Sequence, residues 1–392
     1  MKKIYSNCIF DGEANFLFDA GLILNQQDEI VELLPAGSFR KEEFIFYPGL
    51  LTPGFINAHC HLELSHLKGR IPSGTGLLSF LKQVVSLREI SQSEIDEAII
   101  RADQEMYQNG IVAVGDISNQ SDTYAVKKSS KIYYHTFVEA FDFMQDHLAE
   151  QMFDQYSNVY HSFGELPRSI VPHASYSVSD RLFEKIRTFN SEQAIISIHN
   201  QEVKDEDELF ESKGGGFIPF FEGFGFDYSH FQAKTYNAID HNLIHLDKKF
   251  QTLFIHNTQT RYKDVKKVIE NFDRAYFVTC PNANLYIENQ LPDYEQFAAA
   301  GHRICIGTDS LSSNWQLDIL SEIKTILKYK SKLSLNSVLS WACKQGANAL
   351  GIEDKYGSFS PGKSPGVNWI KEIVIMGQDL TILPEAKVKK LH

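Results

Sequence analysis

Along the first fifty residues, apolar positions come in short bursts separated by turn-forming residues. Lys3 to Phe10 is followed by Asp11-Gly12, then Ala20 to Leu24, then Glu29 to Leu34 ahead of Pro35. Such punctuation predicts a small β module. From Leu51 onward the rhythm changes, and short apolar runs alternate with segments of helical period. The predicted strands are Leu51–Ala58, Ile111–Ile117, Ile132–Glu139, Ser169–His173, Ala194–His199, Thr252–His256, Ala275–Thr279 and Arg303–Thr308. Helical periods occupy Leu77–Glu89, Ser93–Gln108, Asp180–Arg187, Tyr262–Asn271 and Leu317–Tyr329.

Eight such strands joined by helices predict an α/β chain of the TIM-type (β/α)₈ barrel class. Near the end, strand-like text returns at Val367–Ile370 and Ile373–Ile375, with Gly357, Pro361, Gly362, Pro365 and Gly366 marking turns. This end is expected to rejoin the N-terminal module, giving a small domain of 1–50 plus 352–392 beside a barrel domain of 51–351. The longest connection, Glu202 to Gln251, carries Gly214-Gly215-Gly216 and then Phe217, Phe220, Phe221, Phe224, Phe226, Tyr228 and Phe231. It follows a barrel strand and therefore lies on the face where such barrels hold their sites. Two readings stay open for it: an added apolar cluster covering the barrel, or a lid or pocket wall that stacks a flat ring.

Composition narrows the partners. With 392 residues, 43% hydrophobic and 22% charged, the chain can bury one large core and is neither disordered nor fibrous. A formal charge of −12 argues against a nucleic-acid partner, whose affinity draws on clustered Lys and Arg, and points to a small-molecule ligand. Met1-Lys2-Lys3 is not followed by an apolar signal segment, and no run is long enough to cross a membrane, so a cytoplasmic protein is expected. The five cysteines, Cys8, Cys60, Cys280, Cys305 and Cys343, form no C-x-x-C pair and read as reduced thiols.

The chemistry gathers at strand ends. In Ala58-His59-Cys60-His61, alternate residues of an extended segment face one side, so His59 and His61 can chelate one ion. A His-x-His pair alone is a weak sign, because surface or core-satisfied histidines account for most of them. Histidines recur, however, at the ends of later apolar runs, as His173, His199 and His256, and the eighth run ends in Gly307-Thr308-Asp309. In a barrel of this class all strand ends face one common site.

In these residues the whole chain resembles the amidohydrolase superfamily in its deaminase branch. The family pattern is His-x-His after strand one, His after strands five and six, and Asp after strand eight, on a barrel with a small β-sandwich made from both chain ends. The resemblance implies His59, His61, His199 and Asp309 as metal ligands. Binuclear members bridge two metals through a lysine after strand four, but here that strand ends in His173-Ala174-Ser175-Tyr176-Ser177, so one divalent ion, zinc or iron, is expected. The deaminases' His-x-x-Glu is supplied by His199-Asn200-Gln201-Glu202. Three imidazoles and a carboxylate leave a position for water, whose pKa such an ion lowers from near 16 toward about 7.

Glu202 would then protonate a ring nitrogen and shuttle a proton to departing ammonia, while His256 and Asp309 orient or deprotonate the water. On its own Glu202 would read as a solvated acid in the charged run to Glu208. By resemblance His173 contacts substrate, although a simple structural histidine is the alternative. Pro281-Asn282-Ala283-Asn284 resembles a pocket-lining turn, with Asn282 a candidate substrate contact. The loop His61-Leu62-Glu63-Leu64-Ser65-His66 is similar to that of aminofutalosine deaminases and suggests Glu63 as another.

Gly357-Ser358-Phe359-Ser360-Pro361-Gly362-Lys363-Ser364 fits the spacing of a phosphate-binding loop, but Pro365-Gly366 prevents the helix such a loop requires. The expected activity is hydrolytic deamination of a purine, pterin or adenine-nucleoside-like ring. The alternative is metal-dependent hydrolysis of a cyclic amide or a halogenated triazine-like ring. The resemblance also makes a homodimer a reasonable expectation.

Overall fold

The computed structural model describes residues 1–392 apart from His302 and Ser331. The N-terminal bursts form β1 (Lys2–Phe10), β2 (Phe16–Leu24) and β3 (Ile30–Leu34), followed by β4 (Ile45–Pro53). Then come β5 (Phe55–Cys60), β6 (Ile111–Ser118), β7 (Tyr133–Ala140) and β8 (Arg168–Pro172), in one parallel sheet in that order. A second parallel sheet holds β9 (Ile195–Asn200), β10 (Gln251–His256), β11 (Ala275–Thr279) and β12 (Ile304–Ile306). Single parallel bridges, Ala174 to His199 and Cys60 to Asp309, join the two sheets at both of their edges. Every residue of β5, β6, β9 and β10 is buried, as parallel strands covered on both faces require. With helices between the strands, the fold is α/β.

The remaining strands are β13 (Val367–Ile370), β14 (Ile373–Met376), β15 (Asp379–Ile382) and β16 (Val388–Lys390). The two chain ends share one six-stranded sheet in the order β16-β13-β4-β1-β2-β3, and β14 and β15 form a separate ribbon. The phosphate-loop-like text runs as turns, fastened to β3 by Ile30 N–H donating to the Lys363 carbonyl at 2.7 Å.

One strand boundary differs from expectation. The apolar run from Leu51 is cut at Pro53-Gly54: Leu51 to Pro53 belong to β4, which pairs with β1 and β13, and β5 starts only at Phe55. Gly54 marks the cut because a Cβ there would lie 2.2 Å from Val112 Cγ1 and 2.6 Å from the Pro365 carbonyl. Only glycine allows the two sheets to approach so closely.

The long connection folds as helices Lys204–Ser212, Phe217–Glu222 and Ala238–His245. Its apolar residues join Leu64, Phe80 and Tyr176 in one cluster, with Tyr176 stacked on Phe217 at 4.0 Å. The five cysteines are buried and unpaired, and among the described residues no helix is long and apolar enough to cross a membrane.

Candidate active site

The C-terminal ends of the parallel strands bring together residues far apart in sequence. His59 lies in β5, His199 in β9 and His256 at the end of β10, with His61 just past β5 and Asp309 past β12. The His59 ring centroid is 4.9 Å from those of His61 and His199 and 5.8 Å from that of His256. Asp309 Oδ1 is 3.4 Å from His61 Nε2 and 3.7 Å from His59 Nε2. The edge of the two sheets is closed here by the His59 carbonyl, which accepts from Thr308 N–H at 3.0 Å and Asp309 N–H at 3.1 Å. Gly307 permits this approach, since a Cβ there would sit 2.8 Å from His59 Cβ.

The donor set fits a divalent ion. Ligand atoms of His59, His61 and His199, and of His59, His256 and Asp309, lie within 4.8 Å of one another. Both ring nitrogens of His59 are buried without a hydrogen-bond partner, which is costly unless something else engages them. Burial pushes the His59, His199 and His256 imidazoles below their ordinary value and His61 down to about 3, so their lone pairs are free. Burial pushes the Asp309 carboxyl up, but His59, His61 and His256 outweigh it and hold it below the carboxylate range. Outer contacts fix the set: His199 Nδ1 is 2.9 Å from the His173 carbonyl, and Ser313 Oγ donates to Asp309 Oδ2 at 2.5 Å.

Glu202 is buried, with Oε2 3.6 Å from His256 Nε2 and Oε1 without any partner. Burial, helped by Asp309 and Glu288, raises its pKa well above the usual value. Its backbone is pinned by Glu206, whose carboxylate accepts from Gln201 N–H at 3.0 Å, Glu202 N–H at 2.7 Å and Val203 N–H at 3.3 Å. His256 is oriented by Asn284 Oδ1, 3.1 Å from Nδ1. Strain gathers in the same place: Gln201, His256, Asn257 and Asp309 all have positive φ, from 44° to 67°.

The structure redirects two expected substrate contacts. Glu63 is buried beneath the cavity, paired with Arg88 and accepting from Asn119 N–H at 2.9 Å and Gln120 N–H at 3.1 Å. Arg88 and Asn119, both in contact with it, do face the cavity. Asn282 is also turned away, its amide donating to Glu322 Oε1 at 2.9 Å and its carbonyl accepting from Thr325 Oγ1 at 2.6 Å. His173 does line the cavity, with Nδ1 2.7 Å from Ser177 Oγ.

Above the cluster lies a cavity of about 380 Å³. His61, His173, His199, Glu202, His256 and Asp309 form its floor, and Phe220, Phe221, Phe224 and Phe226 from the long connection form one wall with Phe143. Phe226 stacks on Phe143 at 4.3 Å. The connection thus contributes both to the apolar cluster, through Phe217, Tyr228 and Phe231, and to the cavity lining, through Phe220, Phe224 and Phe226. Sequence reading did not single out Glu139, which ends the apolar run of β7, lines the cavity, and has Oε1 3.3 Å from His199 Nδ1. Burial raises its pKa to about 8. A carboxylate closing an apolar strand was the available signal.

An α/β scaffold with imidazoles and a carboxylate converging at its strand ends is an arrangement that can hold a divalent ion of the kind hydrolases use. Residues 50–382 match the Amidohydrolase family, and the chain belongs to it. It is 29% identical over 320 residues to an adenosine deaminase of Helicobacter pylori, covering 79% of this chain and 76% of that protein. It is 25% identical to an aminodeoxyfutalosine deaminase of Nitratiruptor sp., covering 88% and 85%. Among solved structures, Helicobacter pylori aminofutalosine deaminase in complex with methylthio-coformycin superposes with a TM-score of 0.77 at 23% identity, covering 94% and 91%. Atrazine chlorohydrolase from Arthrobacter aurescens, complexed with zinc, gives 0.71 at 16% identity, covering 94% and 86%. At these identities the structural likeness speaks for the fold alone.

Proposed function

We propose that this chain is a metal-dependent hydrolytic deaminase of an amino-substituted nitrogen heterocycle, with an adenine nucleoside as the leading substrate class. The observation that carries the reading is Glu202, a buried carboxyl with one unpartnered oxygen on the cavity floor, three residues after His199. In this reading His59, His61, His199 and Asp309 hold one divalent ion, taken to be zinc. When bound, the ion supplies Lewis-acid activation of water.

The protein's own groups carry the protons. Glu202, kept protonated by burial, donates to the ring nitrogen beside the amidine carbon; the carboxylate so formed takes up in turn the two protons the attacking water gives up, passing one to the departing ammonia and keeping the other. His256, held by Asn284, and Asp309, held by Ser313, orient the attacking water. His173 faces the substrate, and the phenylalanine wall excludes water around a flat ring. The names of the relatives above support deamination and the nucleoside class. We also read the two parallel sheets as one (β/α)₈ barrel over 51–351, a reading supported by the two bridges at their edges, with 1–50 plus 352–392 as a β-sandwich domain and the enzyme as cytoplasmic.

The test is ammonia release by zinc-loaded protein across adenine, guanine, cytosine, pterin, adenosine, S-adenosylhomocysteine and aminofutalosine, with Glu202→Gln alongside. A nucleoside hit is expected, reduced about 10²- to 10⁴-fold in the variant while the ion stays bound. Normal turnover by Glu202→Gln refutes the proton route. Silence across the panel with the ion bound transfers the assignment to hydrolysis of a cyclic amide or a ring halide.

A further inference from the structure

On the flank of the fold, helix Asp180–Phe189 meets helix Ala238–His245 from the long connection. His241 and His245 stand four residues apart on the second helix and so share a face. Their ring centroids are 4.4 Å apart, and His245 Nε2 is 3.3 Å from Asp180 Oδ1. One ligand atom from each of the three residues lies within 4.8 Å of the other two. None of the three lines the cavity described above.

We propose that Asp180, His241 and His245 form a second binding site, for a divalent transition ion of the zinc type, that staples these two helices together. His241 is fully buried, and its Nε2 has no hydrogen-bond partner, whereas its Nδ1 lies 3.4 Å from the Tyr236 hydroxyl. An orphaned imidazole nitrogen beside a second imidazole and a carboxylate is a donor set suited to zinc, with water completing the shell. Both rings are held in advance: His241 stacks on Phe210 at 4.4 Å and His245 on Phe183 at 5.1 Å. Burial keeps His241 neutral, which leaves its nitrogens able to ligate.

Lys234 faces both imidazoles, and Arg187 faces His245. These cations oppose a dication, so this ion binds more weakly than the one at the strand ends and leaves first under a chelator. Because Ala238–His245 belongs to the connection that supplies the phenylalanine wall, the staple ties that wall to the body of the fold.

The experiment is zinc titration of chelator-stripped full-length protein by isothermal calorimetry, with thermal unfolding followed in parallel. Wild type is expected to bind two equivalents, the second raising Tm. His245→Ala, at a partly exposed side chain, and Asp180→Ala, at an exposed one, are expected to bind one and to lose the second rise in Tm. His59→Ala should keep the flank equivalent, which separates this site from the proposed catalytic one. A single equivalent in the wild type, or two in either flank variant, overturns the proposal.

Discussion

Glu206 offers a sharp test of how the site is built, because it lies outside the cavity lining yet fixes the segment that carries Glu202. Its carboxylate is the acceptor for three consecutive backbone N–H groups, those of Gln201, Glu202 and Val203, and for Ser175 Oγ at 3.5 Å. Glu206→Ala strips all of them. A buried donor left unsatisfied costs about 1–3 kcal/mol, so three of them, allowing for relaxation, should cost about 3 kcal/mol or more. Against a typical total of about 5–15 kcal/mol this is a large share, readable as a fall in the urea midpoint. The freed segment also moves Glu202. A displacement of about 1 Å at a reacting group can cost about 10²-fold in rate, so kcat should drop by about that factor with a smaller change in KM. Glu206→Gln keeps one carbonyl acceptor but turns an NH₂ toward a backbone N–H, and should fall between wild type and alanine. A Glu206→Ala protein within about 1 kcal/mol of wild type and with full turnover would refute this account.

Three further outcomes are expected. Lys127 and Asp116 form a fully buried pair at 2.6 Å, and Asp116 Oδ1 also accepts from Leu62 N–H at 2.8 Å just beyond His61, so Lys127→Met should cost about 3–5 kcal/mol in urea unfolding and weaken zinc binding. Phe226→Ala removes the stack on Phe143 and should raise KM by the equivalent of about 1 kcal/mol with kcat nearly unchanged in steady-state assays. Burial raises Glu322 from 4.5 to about 8, against the donors Asn282 and Asn314. The folded state therefore retains a proton the unfolded chain has already released, and this stability is full below 4.5 and lost as pH rises through 8. Urea unfolding at several pH values across that window should show a steeper decline for wild type than for Glu322→Gln, and equal slopes would exclude the assignment.

Strand ends were legible because a histidine or aspartate closing an apolar run is conspicuous, and the parallel strands of the two sheets carry those ends to one face. The destinations of Glu63 and Asn282 were not legible. Each is decided by a partner distant in sequence, Arg88 or Asn119 for Glu63 and Glu322 for Asn282, and no local pattern announces those meetings. The same reason hid the end of β4: Leu51 to Ala58 reads as one strand, and only the approach of Val112 and Pro365 to Gly54 divides it between two sheets. β15 and β16 were overlooked because Asp379–Ile382 and Val388–Lys390 are too short, at four and three residues, for a period to be read.

The join between β5 and the end of β12 has a consequence for biosynthesis. Asn57 and Thr308, 251 positions apart, exchange two hydrogen bonds of 2.7 and 3.0 Å beside His59 and Asp309. A nascent chain thus displays His59 and His61 long before Asp309 is added. Contacts of such long sequence separation form late and slowly. In the proposed metal centre, tight capture of the ion then waits until Asp309 has joined the histidines, and fragments that stop short of it should hold the ion poorly.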